Sequence, residues 1–422
     1  MKNKWRSLLI AGSGIISMLI LVQSLRAQAG REPRFLDQTG LLDSLYSETL
    51  REYRDIYVQL PDSYDPERPQ KYPVVYLLDG EVFLPATKIV LDYYSGGFMP
   101  EMVLVGISNN INRMRDLTTS TIDSMYGRPF RQRNGEAENF LRFIEDELIP
   151  FVEDTYPVTS YRTITGHSYG GLFAIHSLLF HSDLFANYIA IDPSLDWDDQ
   201  SLLEQSNMVL STEDFTGKSL FVSLGGQLHM QDPEVTLENV MSDSSEFTLF
   251  ARSNIAFADL VRQNTGNGLY FEWKFYPRDL HGTIALPSIM DGLISVFEWY
   301  QMEHTSRFNS FDTPKEELYE IVKYRESKLQ SHFGYLVPPY PEELLIVLGM
   351  MSSDMQQSEK AKMFFDFAIE YYPRSMDAYD AMVDFCINQE DDAAALEYAT
   401  KAYELSGSED HKRRMDRLKK KN

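Results

Sequence analysis

Short apolar runs alternate with longer amphipathic ones over the first 300 residues. VVYLLDG (74–80), MVLVGI (102–107), NYIAID (187–192) and SLFVSLG (219–225) are almost wholly apolar, the pattern of strands buried on both faces. EYRDIYVQL (52–60) and LYFEWKFY (269–276) are rich in β-formers, and RTIT (162–165) completes the strand list. Between them, residues 135–157 carry apolar side chains at 140, 141, 144, 148, 151 and 152, a helical spacing. Further helices are expected over GGLFAIHSLLF, 246–263 and 287–300. Apolar strands alternating with helices predict an α/β fold over 36–300, a mostly parallel sheet with helices on both faces.

Beyond Tyr300 no strand-like run appears. Residues 301–340 read as a linker with one helix, and 341–418 as helix after helix. KAKMFFDFAIEYYPRS and AAALEYATKAYELSGS repeat loosely at about 34 residues, a tetratricopeptide-like period. Two units fall short of the three such arrays need, so this small all-α module is expected to pack on the first domain. A stabilising tail and a protein-partner site both stay open for it.

The N-terminus adds an address. MKNKWR is basic, SLLIAGSGIISMLILV is apolar, and AQA (27–29) matches the small-x-small cleavage pattern, so residues 1–29 are read as a signal peptide. Retention as a membrane anchor is the alternative. No cysteine follows the run, which excludes a lipoprotein anchor. The mature chain is expected in the periplasm or outside the cell.

The chain has 422 residues and a net charge of −24, which disfavours nucleic acid and anionic membrane surfaces. The locally basic end HKRRMDRLKKKN reads as a solvated helix end. The one cysteine, Cys386, excludes an internal disulfide and sits in an apolar helical context. Histidines are few and nowhere at metal-ligand spacing, so neither a metal nor an organic cofactor is expected.

Against this background TGHSYGG (165–171) stands out. It joins a strand to a helix, with Gly166 and Gly170 two residues either side of Ser168. A nucleophilic serine on so sharp a turn needs flanking residues without side chains. The helix start then offers the Tyr169 N–H to a developing oxyanion. A second donor is expected from Gly80 or Glu81, just after VVYLLD. The base is His281, in the polar loop RDLHGT after LYFEWKFY; His229 is its rival. The acid should follow SLFVSLG, where Asp232 comes first and Asp243 next; a Ser–His dyad oriented by a backbone carbonyl is the third option.

The ordered set RDIYVQLPDSYD, KYPVVYLLDGEVFL, LVGISNNINRMRDLTT, ELIPFVEDTYPV, RTITGHSYGGLFA, IAIDPSLDW and EWKFYPRDLHGT, over about residues 45–300, resembles the esterase family of α/β hydrolases. That family is similar to S-formylglutathione hydrolase and enterobactin-type siderophore esterases. The resemblance implies an α/β-hydrolase fold and a serine esterase acting on a small-molecule ester through an acyl-enzyme. It carries the nucleophile onto Ser168, the base onto His281, and the oxyanion loop onto Asp79–Gly80 and Tyr169. Its substrate-side loops fall on Asn109, Arg113, Arg115 and Asp116 and on IDPSLDW. Asp196 stands there where relatives often have an aromatic residue, and the acid position departs from the S-formylglutathione pattern. A thioesterase or peptidase would use the same constellation. A non-catalytic hydrolase-fold scaffold is the reading from another class, and the intact GHSYGG and His281 argue against it.

Overall fold

The computed structural model describes residues 40–66, 70–125 and 127–421. The expected signal peptide, 1–29, lies outside the described residues. The chain divides into two compact units: one holds the described residues up to Ser95 with Pro100–Val296, the other Gly96–Met99 with the chain from Phe297 onward.

The first unit is built on an eight-stranded sheet. Its strands are β1 (Leu41–Ser47), β2 (Glu52–Gln59), β3 (Tyr72–Leu78), β4 (Val103–Ile107), β7 (Val158–His167), β8 (Asn187–Ile191), β9 (Ser219–Gly225) and β10 (Tyr270–Tyr276). A two-residue ribbon, β5 (Ser124–Met125) with β6 (Arg128–Pro129), stands apart. The order across the sheet is β1-β2-β4-β3-β7-β8-β9-β10. β1 and β2 run antiparallel at one edge, and the other six strands are parallel. The apolar runs explain this: every residue of β3, β4 and β8 is buried, as strands covered on both faces require. β1 escaped the sequence reading because its apolar residues point the wrong way for a core strand. Leu41 and Leu42 are exposed while Ser47 is buried.

Helices connect the parallel strands: α1 (Gly80–Tyr94), α2 (Arg113–Leu117), α3 (Ala137–Phe143), α4 (Ile149–Thr155), α5 (Tyr169–Phe180), α6 (Trp197–Thr212) and α7 (Leu249–Gln263); α8 (Ala285–Phe297) follows the last strand. The single helix expected over 135–157 is interrupted. A π-helical turn, Ile144–Leu148, separates α3 from α4, and Pro150 next to it has no N–H to continue the i→i−4 ladder.

From β3 the chain crosses through α1 to β4 on one side, then returns to β7 on the other. The loops leaving β3 and β7 therefore diverge, opening a crevice at the C-terminal strand ends. Ligand sites of open α/β sheets lie at such a switch point.

The second unit is all helical: α9 (Thr305–Phe308), α10 (Lys315–Phe333), α11 (Glu342–Asp354), α12 (Ser358–Tyr371), α13 (Met376–Asn388), α14 (Asp392–Ser406) and α15 (Glu409–Lys419). Residues 301–340 are not a linker. Phe308, Leu318, Val322 and Tyr340 are buried in one cluster with Leu345 and Phe364, so α10 belongs to this unit's core. Ser375, Asp391 and Ser408 cap the starts of α13, α14 and α15 with their side chains, and each such cap is worth about 1 kcal/mol. Cys386 is buried among Met382, Ala395 and Leu418. The basic C-terminal helix is partly neutralised within the unit: Arg414 binds Asp380 and Asp384, and Lys421 binds Asp392.

Candidate active site

Three left-handed residues mark the strand ends at the crevice: Asp79 after β3 (φ 55°), Ser168 after β7 (φ 60°) and Asp192 after β8 (φ 44°). Non-glycine residues rarely adopt such angles, which cluster where a side chain must be re-aimed for function. Ser168 sits on a strand-to-helix elbow with ψ −115°. Its amide donates to the Ile191 carbonyl (2.9 Å), and its carbonyl accepts from Leu172 (3.0 Å) and Ser194 (3.1 Å).

The two motif glycines have different work. A Cβ on Gly166 would lie 2.3 Å from the Gly170 carbonyl oxygen, inside any tolerable contact, whereas one on Gly170 would meet the Leu78 side chain at an ordinary 3.5 Å. Gly171 is the tighter helical position, since a Cβ there would come within 3.0 Å of Pro193. Gly80 fills the same need across the crevice: its Cβ would lie 2.6 Å from the Gly106 backbone, so α1 starts hard against β4.

Ser168 Oγ is 3.0 Å from His281 Nε2, and His281 Nδ1 is 2.7 Å from Asp192 Oδ2. A carboxylate has no proton to give, so Nδ1–H donates to Asp192 and Nε2 offers its lone pair to the serine hydroxyl. Asp192 is 2 % exposed, and its other oxygen accepts the Gly225 amide at 2.8 Å. The His281 loop is anchored by the Gly226 amide, which donates to the Asp279 carbonyl at 2.7 Å.

The carboxylate that meets His281 is therefore that of Asp192, not Asp232. Register explains the correction. β8 lies directly beside β7, with Ile191 opposite His167, so the residue after Ile191 emerges next to Ser168. Asp232 is exposed; its amide donates to His229 Nδ1 (2.7 Å) and its carboxylate accepts from Glu234 (2.9 Å), all within its own loop. Asp243 pairs instead with His229, Nε2 to Oδ2 3.7 Å, so the rival base is also held away. The signal was present: NYIAID ends a parallel strand in aspartate, between Ser168 and His281 in chain order.

For the oxyanion, Gly80 and Tyr169 are the first residues of α1 and α5, where N–H groups have no intrahelical acceptor. Glu81 drops out. Its carboxylate, pushed up by burial, accepts from its own amide and from that of Asn109. Arg113 ties the two helix starts together: its guanidinium grips Asp79 (2.7 and 2.8 Å) and donates to the His167 carbonyl (2.9 Å).

The three expected substrate-binding residues serve the scaffold instead. Asn109 is fully buried, and its Oδ1 accepts the Asp79 amide at 3.0 Å. Arg113 is bound to Asp79 as described. Arg115 is 4 % exposed and joins Glu52 and Asp116, with Arg54, in a buried charge network. Asp116 lies in the same network, fully buried. These positions looked available because exposed arginines and arginines inside such networks read alike in sequence. Asp196 is buried just before α6.

Sequence reasoning overlooked His167. Its Nε2 donates to the His281 carbonyl at 2.8 Å, and the two rings lie 4.7 Å apart. Burial first, then the neighbouring His281, brings His167 from the usual value near 6.5 down to about 4. It is a neutral strut that holds the His281 backbone. The native state resists protonating this ring and the unfolded chain does not. The stability it confers is whole above pH ~6.5 and is lost as the pH falls towards 4. His167→Gln keeps a donor near the same place but has nothing to titrate. Thermal melts at pH 7 and pH 4.5 should therefore show the variant losing less stability over that interval than the wild type. Parallel losses would refute the assignment.

His167, Asp192 and His281 also present ligand atoms within 4.8 Å of one another. Each already has a hydrogen-bond partner: the His281 carbonyl for His167, the His281 ring for Asp192, and Asp192 and Ser168 for His281.

Residues 47–230 match the family described as "Putative esterase". The chain is 37 % identical over 175 residues to a ferri-bacillibactin esterase of Bacillus subtilis, covering 37 % of this chain and 58 % of that protein. It is 31 % identical over 187 residues to a siderophore enterobactin esterase of Emericella nidulans, covering 40 % of this chain and 58 % of that protein. The chain thus spans a little over half the length of these relatives. An IroE-like serine hydrolase from Shewanella oneidensis has the same fold, with a TM-score of 0.64 and 29 % identity over 79 % of this chain and 99 % of that one. Residues 47–230 thus resemble the "Putative esterase" family, on a fold that the chain shares with a serine hydrolase.

Proposed function

We propose that this protein is a serine esterase that opens the ester linkages of a siderophore or a closely similar aryl-bearing ester. The observation that carries the reading is the unbroken relay Asp192–His281–Ser168, at 2.7 and 3.0 Å, on a strained elbow. His281 Nε2 takes the Ser168 proton as Oγ attacks the ester carbonyl. The Gly80 and Tyr169 amides hold the oxyanion. His281 then protonates the departing alcohol, and a water activated by the same nitrogen releases the acid.

Aromatic surface supports the substrate class, as do the names of the relatives. Phe83 meets His167 edge-on at 5.8 Å, and Phe250 meets His281 edge-on at 5.2 Å. Tyr169, beside the nucleophile, packs on Trp197 at 5.4 Å and under Arg113 at 5.5 Å. Arg113 itself is neutralised by Asp79. Recognition near the reacting atoms therefore falls to apolar and aromatic contacts, which suit an aryl group.

The test is hydrolysis of a catecholate trilactone beside p-nitrophenyl esters of rising acyl length, with product release followed chromatographically. The reading expects trilactone opening with kcat/KM well above that for any p-nitrophenyl ester. Turnover of short p-nitrophenyl esters alone would leave an esterase and overturn the siderophore assignment.

A further inference from the structure

Ser194 lies in the loop between β8 and α6, and the relay as described has no task for it. Its hydroxyl is 3.1 Å from Ser168 Oγ, and its amide donates to the Ser168 carbonyl at 3.1 Å. It is 7 % exposed. The loop around it is fixed from outside: Asn254 Nδ2 donates to the Pro193 carbonyl at 2.8 Å, and the Trp197 amide donates to the Ser194 carbonyl at 3.1 Å.

The relay sets the direction of the Ser194–Ser168 bond. Asp192 accepts from His281 Nδ1–H, so Nε2 is the acceptor for the one proton Ser168 carries. Ser168 has none left for Ser194, so Ser194 O–H donates to Ser168 Oγ. A donor aimed at the reacting oxygen acts according to the charge that oxygen carries.

We infer that Ser194 is a catalytic hydrogen-bond donor to Ser168 Oγ that serves release of the acyl-enzyme more than its formation. The inference rests on the esterase reading above. In the resting enzyme Oγ is a hydroxyl oxygen and already a good acceptor. The Ser194 bond therefore exists before attack and changes little as the Ser168 O–H breaks, its proton moves to Nε2 and the Oγ–carbon bond forms. In the acyl-enzyme Oγ is an ester oxygen and a poor acceptor. Water adds to the carbonyl, giving its proton to Nε2. The Oγ–carbon bond then breaks and its electron pair passes to Oγ, which recovers a proton from Nε2. Charge grows on Oγ in this last step, and Ser194 meets it with a preformed donor.

The experiment is rapid-mixing hydrolysis of a p-nitrophenyl ester by the full chain, wild type beside Ser194→Ala and Ser194→Cys. The cysteine variant keeps the volume and supplies only a weak donor. Both variants should keep the pre-steady-state burst, with acylation within about threefold of wild type, while the steady-state rate falls about tenfold. Mass spectrometry of quenched samples should find the acyl group on Ser168. Deacylation at the wild-type rate in both variants, or equal slowing of both phases, would overturn the inference. A wild type that neither bursts nor turns over would instead remove the esterase reading on which it rests.

Discussion

Asp192→Asn is expected to lower kcat/KM by about 10⁴-fold, while Asp232→Asn and Asp243→Asn leave it within about twofold. The carboxamide can stay in place and turn its Nδ2–H₂ toward His281 Nδ1. That favours the tautomer with the proton on Nε2, the atom that must accept from Ser168 at 3.0 Å. Geometry survives and the base is lost. Asp192 is also buried and holds the Gly225 amide, so an alanine there would leave that donor unpaired and confuse chemistry with folding. Asparagine separates the two. Steady-state kinetics on the three variants, with melts as a control for folding, decide between the strand β8 acid and the acids of the later loop. Full activity in Asp192→Asn together with a collapse in Asp232→Asn would reverse the assignment.

Gly166→Ala should abolish activity and lower the melting temperature by roughly 8–16 °C, the consequence of about 4 kcal/mol of strain in a domain of this size. The new methyl would lie 2.3 Å from the Gly170 carbonyl oxygen. Neither is a flexible side-chain end, so either β7 or the first turn of α5 has to shift, and Ser168 lies between them. Gly170→Ala makes the contrast. Its Cβ meets Leu78 at 3.5 Å, within ordinary contact, and alanine in a helix is favoured over glycine by about 0.5–1 kcal/mol. It should melt at or slightly above the wild-type temperature. Equal damage from both substitutions would mean that the elbow is strained in some way the present contacts do not describe.

That contrast also shows what the sequence could tell. The spacing of Gly166, Ser168 and Gly170 was enough to find the elbow, because only a few turns tolerate it. It suggested that both glycines avoid clashes, and the packing assigns that need to Gly166 and Gly171. His281 was legible because it lies in a polar loop after the last strand. Asp192 ends the run NYIAID, but local pattern does not single it out over the acids after β9, because which strand lies beside β7 is set by sheet order. His167, one residue before Ser168, carries no local signal, because its hydrogen bond is to a carbonyl 114 positions away. Arg113 and Arg115 carry the same lesson in reverse. A basic residue in a loop reads as substrate-facing until its carboxylate partners appear, here Asp79, Glu52 and Asp116. The all-parallel core was readable from its apolar runs. The edge strand β1, exposed and mixed in character, was not.

The central claim is that Ser168 is a nucleophile activated by His281. Treating the full chain with a fluorophosphonate, digesting it and mapping the adduct tests this most directly. One adduct per chain is expected on the peptide carrying TGHSYGG, at Ser168, with labelling lost in Ser168→Ala and strongly slowed in His281→Ala. An unlabelled protein, or a label on any other serine, would contradict it.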